Sequence, residues 1–176
     1  MNKLKFDPNC DGNLNITELP YAVNFTNNGW LWLNHLKTIP AGTKFNNKGN
    51  VSLYSLTELP EGIEFNNKGN IGLGNLKTLP AGTKFNNNAG VYLYHLIELP
   101  EGIEFNNKGN IWLHNIKTLP KDVKFNNEGY VWLPNLNFEG LIYDQFMNIY
   151  PKLETYKQIE LKWLLRQFKI KRILEI

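Results

Sequence analysis

The sequence predicts a mainly β fold: a parallel β-solenoid closed at its C-terminal end by α-helices. Three observations predict it. A motif of about 20 residues, L-P-x-G-x-x-F-N-N-x-G-x-(V/I)-x-L-x-x-L, fills most of the chain. Its proline recurs at Pro20, Pro40, Pro60, Pro80, Pro100 and Pro120, and its phenylalanine at Phe25, Phe45, Phe65, Phe85, Phe105 and Phe125. So short a period leaves no room for a helical pair, and each unit must be one coil burying its apolar side against its neighbours. Within the unit, apolar and polar residues alternate as in short half-buried strands. After Leu136 the repeat decays and helical periodicity takes over.

Taken in order, residues 1–20 read as a degenerate N-terminal capping coil. Ile16, Leu19 and Pro20 are in register, with Asp11 and Asn13 in the places of the strand apolars. Residues 21–138 hold a six-coil solenoid. The coil from Glu61 to Pro80 is representative. Ile63 and Phe65 flank Glu64 in a first short strand. Asn66, Asn67 and Gly69 form a turn, glycine being able to take positive φ. Ile71 and Leu73 flank Gly72 in a second strand, and Leu76 and Leu79 continue the inward side. Pro80-Ala81-Gly82 turns the chain, with proline expected at the second turn position and glycine at the fourth.

Stacked coils about 4.8 Å apart turn equivalent residues into ladders. The phenylalanines should form one spine. Asn47, Asn67, Asn87, Asn107 and Asn127 should form an amide ladder, each side chain bonding the next, with a structural rather than ligand-binding role. Glu64 and Glu104 alternate with Lys44, Lys84 and Lys124, so Lys84 should sit between two carboxylates. Residues 41–80 and 81–120 agree at 31 of 40 positions, which points to duplication of a two-coil block.

Residues 139–176 form the helical cap, with helices expected over 139–150 and 151–175 and Pro151 at a helix start. Leu153, Tyr156, Ile159, Trp163, Leu164 and Phe168 make an apolar stripe suited to covering the last coil or to binding a partner. Lys162, Arg166, Lys169, Lys171 and Arg172 give the same segment a basic side with Glu154, Glu160 and Glu175 interspersed, either a solvated face or a contact for phosphates or an acidic protein, so a nucleic-acid partner stays open there.

The chain has 176 residues, a formal net charge of +3 and one cysteine, Cys10. The mild charge announces no polyanionic partner, and a lone cysteine suits a reducing compartment. Met1 to Asn15 lacks an apolar stretch of signal-peptide length, and no later run is long enough to span a membrane. A cytoplasmic location with no membrane partner is therefore expected. Asp7, Asn9, Asp11 and Glu18 satisfy the calcium-loop spacing D-x-N-x-D-G-x5-E. The flanking helices are missing and Glu18 has repeat counterparts in Glu58 and Glu98, so no metal is expected. With no phosphate-loop, zincin or serine-hydrolase motif, neither a cofactor nor enzymatic activity is expected.

Comparing the repeats with one another locates the variable face. Between the strand apolars the coils read Trp32, Ser52, Gly72, Tyr92, Trp112, Trp132. Just after them they read Asn34, Tyr54, Gly74, Tyr94, His114, Pro134, with His95 beside Tyr94. Alternation turns both positions to solvent. Tyr92, Tyr94, His95, Trp112, His114 and Trp132 should form one patch, with a dip at Gly72 and Gly74 and with Trp32 and Tyr54 beyond it. Such a patch marks a binding surface unless the C-terminal helix folds back over it. Its expected partner is a protein. Carbohydrate or nucleic acid stacked on the rings is the alternative.

The L-x-x-L-P-x-G-x-x-F and V-x-L-x-x-L elements resemble the short leucine-rich-type repeats of bacterial and phage proteins, over about residues 14–136. Here Asn-Asn follows phenylalanine and precedes the Val-x-Leu strand, unlike the usual leucine-rich placement. That favours a compact right-handed β-solenoid over an open horseshoe. The resemblance implies a binding module, and small phage and mobile-element proteins of this kind imply an inhibitor of a host defence complex.

Overall fold

A computed structural model describes residues 12–174, with side-chain placement for all of these except Tyr156 and residues 172–174. The chain is a parallel β-solenoid of about six coils followed by a short helical region. Each coil contributes one short strand to each of two sheets. The seven-stranded sheet runs β1 (Gly12–Asn13), β3 (Leu31–Trp32), β5 (Val51–Ser52), β7 (Ile71–Gly72), β9 (Val91–Tyr92), β11 (Ile111–Trp112) and β13 (Val131–Trp132). The six-stranded sheet runs β2 (Asn24–Phe25), β4 (Lys44–Phe45), β6 (Glu64–Phe65), β8 (Lys84–Phe85), β10 (Glu104–Phe105) and β12 (Lys124–Phe125). Neighbouring strands pair in parallel, one period apart, so like residues meet.

The core follows from that register. The phenylalanines from Phe25 to Phe125 stack with ring centroids 5.3–5.4 Å apart and planes within 11° of parallel. Val51, Leu53, Leu56 and their counterparts in every coil are buried. The expected inward set of the Glu61–Pro80 coil is buried except Ile63, which is half-buried.

Four local expectations are corrected. In the corner turn, the Thr43 N–H donates to the Pro40 carbonyl at 3.3 Å and Gly42 has φ +78°. Proline thus takes the first turn position and glycine the third, the type II arrangement that needs positive φ there. The glycine after Asn-Asn is needed for another reason. Gly69 is not in the left-handed region, but a Cβ on it would lie 2.5 Å from the backbone of the coil below. Third, Gly12 rather than Asp11 pairs with Leu31, so the first coil is one residue short and Leu14 packs inward. Fourth, Lys84 ion-pairs with Glu104 at 3.1 Å but not with Glu64, which pairs with Lys44 at 2.6 Å. Between Glu64 and Lys84, at the junction of the two 40-residue blocks, lies a cleft of about 580 Å³.

The asparagine roles are also exchanged. Asn47, Asn67, Asn87, Asn107 and Asn127 are buried, but they do not bond one another. The Asn67 Nδ2 donates to the carbonyls of Gly49 at 3.1 Å and Gly69 at 2.9 Å, tying adjacent turns together. The preceding asparagines make the side-chain ladder: Asn66 donates to Asn46 at 3.1 Å, Asn86 to Asn66 at 3.3 Å, Asn106 to Asn86 at 3.0 Å and Asn126 to Asn106 at 2.8 Å.

The cap answers a polarity problem. In the six-stranded sheet each coil's N–H groups donate to the carbonyls of the coil before, as Asn126 does to Phe105 at 2.9 Å. The last coil therefore ends in open carbonyls. Side chains of the cap replace the missing donors: Gln145 Nε2 to Leu119 at 2.7 Å, Asn148 Nδ2 to Val123 at 2.8 Å, and Lys152 Nζ to Asn127. The helices are α1 (Tyr143–Ile149), α2 (Thr155–Glu160) and α3 (Lys162–Leu174). Pro151 sits in a 3₁₀ turn, Tyr150–Lys152, instead of opening a long helix. The break at Leu161 divides the expected stripe. Leu153 and Leu164 are buried and Phe168 packs on Phe146, whereas Ile159 and Trp163 are exposed.

Candidate functional site

The second strand of each coil has one side in the core, which forces the residues before, between and after its apolars onto the seven-stranded sheet's outer face. Tyr92 and Trp112 stand in register on neighbouring strands and stack at 4.3 Å with planes 10° apart. Tyr94 meets the His114 ring edge-on at 5.0 Å, and His114 lies 6.5 Å from Trp132. Tyr92, Tyr94, Trp112, His114 and Trp132 are half-buried against one another, and His95 is exposed, with its Nδ1 against the Gly74 carbonyl. The expected patch is thus contiguous.

Tyr54 is not beyond a dip at Gly72 and Gly74. It fills the dip. A Cβ on Gly74 would lie 2.4 Å from Tyr54 Cε1, and one on Gly72 would lie 3.1 Å from its Cε2. The two glycines are the bed on which the Tyr54 ring lies. Burial holds the phenols of Tyr92 and Tyr94 above their ordinary range, and the nearby Tyr54 adds to both.

Two members of the face were missed in the sequence. Trp30 is 55 % exposed and packs 5.8 Å from Trp32, and Tyr130 is 49 % exposed. Both stand two residues before the inter-apolar position. The period-two alternation used for Trp32 and Trp132 was enough to place them.

A column of asparagines runs along the same side. Asn50, Asn70 and Asn110 each accept the N–H of the residue one coil on, at 2.7–2.8 Å. Gly90 interrupts it. A Cβ there would lie 2.9 Å from Trp112 Cζ3, so glycine makes room for that ring. A groove of about 440 Å³ opens beside it, lined among others by Gly90, Asn110, Trp112, Lys108 and Glu128.

None of the outward positions represented by Trp30, Trp32, Asn34 and His35 is Asp, Glu, Lys or Arg in any of the six coils. The opposite sheet carries the lysine–glutamate column. Among the described residues the helical region packs across the last coil, α1 on β12, and borders the aromatic face at Trp132 through Leu153, Glu154 and Lys157.

The remaining candidates lie elsewhere. Lys162, Arg166, Lys169 and Lys171 are exposed on α3, and the side chain of Arg172 lies outside the described set. Asp7, Asn9 and Asp11 of the calcium-loop pattern lie outside the described residues, and Glu18 is exposed. Among the described residues, no group of three His, Cys, Asp or Glu could hold a metal ion, and no helix is long and apolar enough to cross a membrane.

No family model matches the chain, and no characterised protein or solved structure is significantly similar to it.

Proposed function

We propose that the protein is a non-catalytic binding module that engages a partner protein through the aromatic face and acts by occluding or recruiting it. The observation that carries this reading is the contrast within each coil. The core and the asparagine turns repeat almost unchanged, while the outward positions of the seven-stranded sheet vary, lack charge and gather Trp30, Trp32, Tyr54, Tyr92, Tyr94, Trp112, His114, Tyr130 and Trp132. Rigid aromatic side chains with polar tips, and few charges at the centre, are the composition of protein-binding hot spots.

Ring orientation favours a protein over a carbohydrate. A sugar needs a free aromatic face, and Tyr92 and Trp112 spend facing ring planes on each other. An occluding inhibitor, as the resemblance to small phage repeat proteins implies, is one form of this function.

The test is affinity capture with cross-linking from a host lysate. It compares the wild type, a Trp112→Ala/Trp132→Ala variant, and a Lys44→Ala variant altered only on the opposite sheet. The aromatic double variant should lose a partner that the Lys44 variant keeps. Equal capture by all three would remove the face as the site.

A further inference from the structure

α3 has two apolar sides. Its inner side holds it to the protein: Leu164 is buried, Leu165 packs on the core, and Phe168 meets Phe146 at 5.0 Å and Tyr143 at 6.1 Å. Its outer side carries Trp163 and Ile170, each 50 % exposed. Seven residues is two helical turns, so these two side chains lie in one row, and Arg166 falls between them. Lys162 and Lys169, also two turns apart, flank that row on one side, and Lys171 flanks it on the other. All four cations are exposed. From Lys162 to Leu174 the helix contains no Asp or Glu. In the sequence Glu160 precedes the helix and Glu175 follows it, and Glu160 is engaged by Lys157 at 3.0 Å.

We propose that this outer side is a membrane-surface contact. α3 lies flat on a bilayer rich in anionic lipid, with Trp163 and Ile170 entering the boundary between headgroups and acyl chains. Lys162, Arg166, Lys169 and Lys171 meet the lipid charges. Complementarity selects the occupant. An unbroken set of cations demands an anionic surface, and two exposed apolar side chains in one row demand that the surface also have an apolar layer beneath its charge. A nucleic acid offers the first without the second. Tryptophan prefers the bilayer interface, and long cationic side chains let their stems follow the apolar row while their heads stay wet. The expectation of no membrane partner rested on the lack of a span, and an interfacial helix needs none.

The test is co-sedimentation of the full chain with phosphatidylcholine vesicles, with and without a large share of phosphatidylserine. Binding should require phosphatidylserine and weaken as salt rises. Trp163→Ala, at an exposed position, should abolish most binding while leaving the melting temperature unchanged. Lys162→Glu/Lys169→Glu should weaken it by more than tenfold, at about fivefold per cation removed. Trp112→Ala, on the aromatic face, should bind vesicles as the wild type does, which separates this surface from the protein-binding one. No binding to anionic vesicles at low salt would overturn the proposal. So would equal binding to both vesicle types, or loss on Trp112→Ala with retention on Trp163→Ala. Salt-sensitive binding to duplex DNA without vesicle binding would assign the helix to nucleic acid instead and would equally overturn it.

Discussion

The two sheets of the solenoid are built from the same coils, yet their outer faces obey different rules. On the six-stranded sheet the outward residues pair along the stack, except where Glu64 and Lys84 part at the junction of the two blocks. Asparagine bonds asparagine, and Lys84 and Lys124 both hold Glu104, at 3.1 and 2.8 Å. On the seven-stranded sheet the outward residues change from coil to coil: Trp32, Ser52, Gly72, Tyr92, Trp112, Trp132. A ladder that stabilises itself must repeat, because each rung is its neighbour's partner. A surface shaped to something outside the protein is free to vary. The difference teaches that repetition in this chain marks stability and that variation marks the candidate site.

That comparison can be broken at the core that both faces share. Phe85→Ala removes a fully buried ring stacked on both sides and should cost about 3–5 kcal/mol in chemical denaturation. A much smaller loss would mean that the phenylalanine spine does not set the spacing of either face.

A smaller effect comes from the turn that joins the sheets. A Cβ on Gly49 would lie 2.2 Å from the Gly29 carbonyl oxygen, a backbone atom that cannot swing away. Gly49→Ala should cost about 1–3 kcal/mol, as overpacking does. Ala89 holds this place in one coil, where Gly90 follows instead of asparagine. Pairing Gly49→Ala with Asn50→Gly should therefore recover part of the loss, measured by the same denaturation.

The charge column gives a weaker, pH-dependent signature. Hydrogen bonds from Lys124 and then Lys84 hold the Glu104 carboxyl at about 2, below its ordinary 4.5. A carboxylate with a depressed pKa contributes stability that is full above the ordinary value and is lost as pH falls through the depressed one. Glu104→Gln should thus melt slightly lower than the wild type near neutral pH. The gap should close on acidification from about 4.5 towards 2 and shrink in high salt. A gap that stays constant in acid would detach the column from the stability of its face. Because both lysines are solvent-exposed, the column should matter far less than Phe85.

The smallest change in stability sharpens the comparison most. Gly74→Ala places its Cβ 2.4 Å from Tyr54 Cε1, but that atom belongs to a side chain able to rotate away. Stability should hardly change, whereas the aromatic face should open. With Tyr54 displaced, the raised phenol pKa values of Tyr92 and Tyr94 should fall back towards the ordinary range in an ultraviolet titration. An unchanged titration would mean that Tyr54 does not complete the patch.

Most of the architecture was legible because a period of about 20 residues with strict alternation admits few folds. Phe65, Ile71, Leu73 and Leu76 could be assigned inward from their spacing alone, as could the solvent side of Trp32, Tyr92, Trp112 and Trp132. The same alternation exposed Trp30 and Tyr130, which comparing only two positions of the repeat left out. What one-dimensional spacing could not show was which partner each group finds. Asn66 and Asn67 are adjacent and chemically identical. Only the pleat, which turns one outward to Asn46 and the other inward to backbone carbonyls, gave them different roles. Gly72 and Gly74 looked like a gap because composition records a missing side chain and not the ring that comes to lie there. The cap followed the same logic: the helical stripe was visible, but Trp163 and Leu164 are neighbours pointing about 100° apart on α3, and only packing turned Leu164 inward and left Trp163 outside. The sequence by itself determined the coil, its core and its two faces, since these depend on periodicity and burial. The tertiary structure decided the contacts between coils, because hydrogen bonds, close glycine approaches and ring stacking act across about 20 residues of chain at distances of a few ångströms.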